Sequence, residues 1–216
     1  MKYTENQDGK IRQEVLLTRE SLLKLIKRYH FEDSDLFLIE SIYNTLLPLL
    51  VPDIYIKTVD EETTLYHEMI SSRDVQSADF AVIIVTLGAV LDIFRAAYLD
   101  QEHLREAYMI DCLSNELMFI IYEKIEDIIK EQTGLWVQKY EFLGGKYSLE
   151  MMPMIFDYIG QNNVTFNHAY ALQPSKSVVM LVELSPKRSL AKLNICTDCN
   201  NINCVNRAFD CKKNQI

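Results

Sequence analysis

The chain has 216 residues, 49% of them hydrophobic and 25% charged, which is ordinary for a globular domain with a sizeable core. Its net charge of −9 excludes a nucleic-acid-binding footprint, since phosphate recognition needs clustered Lys and Arg. The most apolar run, Phe80 to Leu91, is too short to cross a membrane and leads straight to Asp92 and Arg95.

In chain order, Ile11 to Leu17 reads as an extended lead-in. Thr18 or Ser21 then caps a helix carrying Leu22, Leu23, Leu25 and Ile26. Ser34 or Asp35 caps a second helix with Leu36, Ile39, Ile42, Leu46 and Leu47 on its apolar face, bracketed by Pro48 and Pro52. Ile54 to Val59 reads as a strand, and Thr63 to Ile70 as a second strand paired with it through the Asp-Glu-Glu turn. Ala81 to Thr86 is a continuous β-branched run expected to be a buried strand ending at Gly88.

A helix is expected from Ala89 to Leu99. A long one follows from about Gln101 to Glu131, where Leu104, Ala107, Ile110, Leu113, Leu117, Ile121, Ile125 and Ile128 keep helical spacing. Gly134 stops it. Leu135 to Tyr140 is a predicted strand, Gly144-Gly145 a turn, and Pro153 to Tyr158 a short helix ending at Gly160. Val164 to Leu172 and Ser177 to Leu184 read as two more strands, neighbours across the Pro174 turn. This order predicts an α+β domain over residues 1–186, with a mixed, largely antiparallel twisted sheet, flanking helices and one long central helix.

Residues 187–216 are expected to form a cysteine-rich, metal-binding appendage. Cys196, Cys199, Cys204 and Cys211 are spaced C-x2-C-x4-C-x6-C. The C-x2-C pair offers two thiolates to one centre, and the other two cysteines supply further ligands to zinc or an iron–sulfur cluster. The alternatives are disulfides or free thiols. Met1 leads into MKYTENQDGKIRQE, which has no apolar stretch of the signal-peptide kind, so a cytoplasmic location is expected and disulfides are disfavoured. Cys112 stands apart in an apolar helical stretch and reads as a core residue.

Several segments together resemble the reactivation domain of cobalamin-dependent methionine synthase, and more closely the free-standing bacterial proteins built on it. Val85-Thr86-Leu87-Gly88 followed by Asp92 resembles that family's strand-to-helix junction, and Pro52 to Lys57 its first strand. Asp111 falls where an acidic residue occurs in the long helix, Leu149-Glu150 matches part of a "PLE" helix start, and Pro174-Ser175-Lys176-Ser177 matches a later turn. The resemblance runs from about Ile11 onward.

The resemblance implies an S-adenosylmethionine-binding accessory to a cobalamin-dependent methyltransferase or corrinoid protein, supporting reductive methylation of cob(II)alamin held on the partner. In the family, an Arg-x-x-Pro-Gly-Tyr turn grips the methyl donor. Here Lys139 to Gly144 occupy those positions, so Lys139, Gly144 and Gly145 are the implied donor-binding residues, joined by Lys176. Lys139 keeps the charge of the family's arginine without its planar fork. Asn167-His168-Ala169 replaces a Thr-Glu-Ser motif, which makes His168 a candidate where the family has a carboxylate. No H-E-x-x-H, P-loop, G-x-G-x-x-G or G-x-S-x-G motif is present.

Two further readings stand beside a reactivation factor. One is a non-catalytic docking or regulatory module for a corrinoid methyltransferase system, with a structural metal and no donor binding. The other is an α+β enzyme using Tyr55, Tyr66, His67 and Glu68 as a polar site.

Overall fold

A computed structural model describes residues 5–6, 10–12, 15–71, 79–189 and 195. The strands are β1 (Glu5–Asn6), β2 (Lys10–Arg12), β3 (Asp53–Val59), β4 (Asp79–Thr86), β5 (Trp136–Phe142), β6 (Thr165–Phe166), β7 (Leu172–Gln173) and β8 (Ser177–Ser185). The helices are α1 (Arg19–Arg28), α2 (Leu36–Leu46), α3 (Thr64–Ser71), α4 (Val90–Asp100), α5 (Leu104–Thr133) and α6 (Met152–Ile159). The fold is α+β. One six-stranded sheet runs β1-β2-β3-β4-β8-β5, and every pairing within it is antiparallel.

β4 is the centre of the sheet, paired with β3 on one side and β8 on the other. Its unbroken apolar run is explained by burial on both faces. Ala81, Ile83 and Val85 join the core under α1, α2, α4 and α5, while Phe80, Val82 and Ile84 join a second core under α3 and α6. The helical layer is dominated by α5, whose 30 residues bury Ile110, Leu113, Leu117, Ile121, Ile125 and Ile128 along one stripe. Gly134 ends α5 in the left-handed conformation at φ +72°, a region that costs other residues about 1–2 kcal/mol. At the start of α1 the Thr18 hydroxyl accepts from the Ser21 amide at 3.2 Å, satisfying one of the orphan donors of the first turn.

Two expected strands take another form. Thr64–Ser71 is a helix: Leu65, Tyr66 and Met69 are buried, a helical spacing, and the Thr63 hydroxyl accepts from the Tyr66 amide at 3.2 Å. His67 and Glu68 are exposed on it, while Tyr66 packs edge-on against Phe80 in the apolar core that also takes in Tyr55. The segment Val164 to Leu172 lies next to β8 across the Pro174 turn without pairing with it. It folds on itself as a small hairpin, with Thr165 opposite Gln173 and Phe166 opposite Leu172. Asn167 makes the hairpin turn by accepting from the Ala169 and Ala171 amides at 2.9 and 3.1 Å. β8 instead inserts between β4 and β5.

The described residues after β8 pack on the α+β domain. The Gln138 side chain donates to the Lys187 carbonyl at 2.7 Å, and the Arg188 guanidinium lies 4.7 Å from the Trp136 ring centre. Ile195 is buried in the helix-side core. Cys196, Cys199, Cys204 and Cys211 lie outside the described residues.

Candidate functional site

Three separate stretches of chain meet at the end of the sheet where β4 runs into α4. Thr86, the last residue of β4, is buried, and its hydroxyl accepts from the Gly88 amide at 3.1 Å. The same oxygen is met by the Ser177 hydroxyl at 2.8 Å, across the β4–β8 register that sets Thr86 opposite Ser177. The chain reverses at Gly88, where φ is +82°, and enters α4.

The loop before β8 is fastened to this corner from three sides. Leu87 donates its amide to the Lys176 carbonyl at 3.0 Å. Asp92, in the first turn of α4, accepts from the Ser175 amide at 2.8 Å and from the Ser175 hydroxyl. The Lys176 ammonium reaches α5, lying 3.0 Å from an Asp111 carboxylate oxygen and 2.9 Å from the Asn115 side-chain oxygen. Asp111 and Asn115 are four residues apart and therefore share one helix face, which is why a single ammonium meets both. Ion-paired hydrogen bonds of this kind are the stronger class.

Behind Asn115 the polar contacts continue into the helical layer. The Tyr29 hydroxyl donates to Glu116 at 3.3 Å, and Arg28 pairs with the same carboxylate at 2.5 Å. Burial, with the Glu116 charge beside it, raises the Tyr29 phenol well above its ordinary range. Burial likewise pushes the neighbouring Cys112 thiol up to about 12, so this cysteine is an inert core group.

Beside the Ser175 loop is an open cleft of ≈580 Å³ lined by Ala89, Asp92, Asn163, Leu172, Pro174 and Ser175. Asn163 is oriented by its bond to the buried Asp53 carboxylate at 3.1 Å. The Ser175–Asp92 pair supplies no imidazole to carry a proton to a leaving group. What the contacts of this corner do is hold the loop before β8 against α4 and α5.

Of the donor-binding candidates Lys139, Gly144, Gly145, His168 and Lys176, only Lys176 belongs to this corner, alongside Asp92 and Asp111. Lys139 is on β5 opposite Glu183, seven residues along β8 from Lys176, a separation of about 24 Å along the strand. Its ammonium lies 2.7 Å from Glu141, whose side chain is largely buried. Gly144 is in a tight turn at φ +84° and donates its amide to the Tyr147 carbonyl at 2.9 Å; Gly145 follows it, exposed. His168 is exposed in the hairpin turn between β6 and β7, and not on a strand. Asn115 was readable as the i+4 neighbour of Asp111, whereas nothing in the sequence links Asn163 to Asp53.

Among the described residues no group of three or more His, Cys, Asp or Glu is placed to hold a metal ion, and no helix is long and apolar enough to cross a membrane. No protein-family model matches the chain, and no curated protein matches it. Among solved structures, the chain is similar to the crystal structure of the MetH reactivation domain bound to AdoHcy, with 13% identity, 83% of this chain and 80% of that chain covered, and a TM-score of 0.47.

Proposed function

We propose that this chain is an accessory protein of a cobalamin-dependent methyltransferase system, docking on a corrinoid protein or on the methyltransferase that carries the cobalamin. One observation supports the reading. Three of the stretches that resemble the reactivation domain, Val85 to Asp92, Asp111 and Pro174 to Ser177, are separate in sequence and are tied to one another at a single corner of the fold. Separate short matches arising by chance have no reason to converge.

In its fuller form the reading makes the chain a reactivation factor that binds S-adenosylmethionine and supports reductive methylation of cob(II)alamin. An iron–sulfur cluster on Cys196, Cys199, Cys204 and Cys211 would be the electron source. The donor turn argues for the narrower form. Lys139, where the family has its carboxylate-binding arginine, is already committed to Glu141. The Gly144 amide is bonded within its own turn. These residues do not fit a carboxylate clamp, which favours a docking or regulatory module whose cysteines hold a structural zinc.

Three measurements test this. Capture of a corrinoid protein or its methyltransferase by the immobilised chain, from cells expressing them, is expected; recovery of neither overturns both forms. Calorimetry with S-adenosylmethionine at millimolar concentration separates the forms, since measurable heat restores the reactivation reading and silence supports docking alone. Metal content and the absorption spectrum of protein purified without oxygen distinguish iron with acid-labile sulfide from colourless zinc.

A further inference from the structure

The two most exposed large apolar side chains among the described residues are Phe37, at 81%, and Leu104, at 67%. They open α2 and α5, and those two helix starts are joined by the ion pair between Asp35 and Arg105 at 2.6 Å. One turn further along α5 is Tyr108, half exposed, its ring 5.5 Å from that of Phe31. Side chains of this size and exposure present roughly 400 Å² of mostly apolar surface, within the range of the largest patch on a typical monomer, which is often functional.

The two helix starts are fastened to each other and to the turn before them. Asp35 is buried, and its carboxylate also accepts from the Glu32 amide at 3.0 Å, closing a reciprocal capping box at the helix start. A preformed anchor surface loses little freedom on binding, which is what makes such positions energetic centres of interfaces. The exposed charged residues that flank these positions in sequence are mostly acidic: Glu32, Asp33, Asp100 and Glu102. Arg105, the cation between them, is taken up by Asp35, and His103 lies 3.4 Å from Glu106.

This charge pattern selects the occupant. A second copy of the chain would set carboxylates against carboxylates, and an anionic bilayer or nucleic acid would be repelled. The complement is an apolar anchor flanked by cations. We propose that the Phe37–Leu104–Tyr108 surface docks a protein segment that carries a bulky apolar side chain between lysines or arginines. The proposal goes beyond the corrinoid reading and does not depend on it.

The intact protein is titrated calorimetrically with a synthetic amphipathic helical peptide, leucine on one face and lysine on the flanks. The Phe37→Ser/Leu104→Ser double variant is expected to weaken binding on the order of 10-fold or more, as loss of anchor side chains does. Asp33→Lys/Glu102→Lys is expected to weaken it as well. Leu16→Ser/Leu149→Ser, at exposed apolar positions elsewhere, should leave it unchanged. Circular dichroism checks that each variant is folded. The proposal is overturned by a parent that does not bind, by a Phe37/Leu104 variant that binds like the parent, or by a control variant that is equally impaired. A parent that sediments as a dimer and becomes a monomer on Phe37→Ser overturns it in favour of self-association.

Discussion

Replacing Lys176 by methionine removes the ammonium that ties the loop before β8 to α5, while keeping most of the length of the aliphatic stem. Two interactions are lost: the Asp111 pair at 3.0 Å and the Asn115 hydrogen bond at 2.9 Å. The Lys176 side chain is 19% exposed but Asp111 is 40% exposed, so solvent screens the pair and its worth is that of a good surface pair, about 1 kcal/mol. The hydrogen bond adds about 1 kcal/mol. Lys176→Met should therefore lower stability by about 2 kcal/mol. For a chain of this length that corresponds to a fall in Tm of roughly 4–8 °C. Urea unfolding should show a lower midpoint at unchanged slope, because the surface exposed on unfolding is the same. A double-mutant cycle with Asp111→Asn should return a coupling of about 1 kcal/mol. A Tm unchanged within error, or strict additivity in the cycle, would refute the claim that this contact fastens the corner.

Other consequences are equally direct. Ile83→Ala, fully buried at the centre of β4, should cost about 2–5 kcal/mol by urea unfolding, exceeding any change at the corner. Gly88→Ala should cost about 1–2 kcal/mol, because φ of +82° strains any side chain there. Cys112 should resist alkylation in the native protein at pH 8 and react on unfolding, as peptide mass spectrometry would read. Its thiol rises from 9.0 to about 12 on folding, so the unfolded chain loses that proton first. Native stability from this group is complete below pH 9 and declines as pH rises toward 12, and Cys112→Ala should remove that part of the alkaline slope.

The parts of the fold legible in the sequence are those where one physical signal dominates. The run from Ala81 to Val85 announces a strand covered on both faces, and β4 is one. The spacing from Leu104 to Ile128 announces a long helix, and α5 carries that stripe inward. Thr63 to Ile70 misled because eight residues hold too few turns to separate a period of 3.6 from alternation. The deciding bond is local, from the Tyr66 amide to the Thr63 hydroxyl. Val164 to Leu172 misled because Asn167 and Ala169 make a turn with no glycine in it. The candidate site was legible only as fragments. Asp92 and Ser175, or Asp111 and Lys176, are separated by 60 residues or more, and no spacing rule reaches that far.

The placement of β8 has a consequence for how the chain is made. β5 leaves the ribosome about 40 residues before β8, yet its partner in the sheet is β8 and not β4, which was made earlier. At about 5–20 residues per second, β5 and the free edge of β4 are exposed together for seconds. β4 has Phe80, Val82 and Ile84 on one face and Ala81, Ile83 and Val85 on the other, so that waiting edge is among the stickiest in the chain. The nascent protein should therefore need shielding until Ser185 emerges, and a product truncated before Ser177 should aggregate instead of folding into a smaller domain.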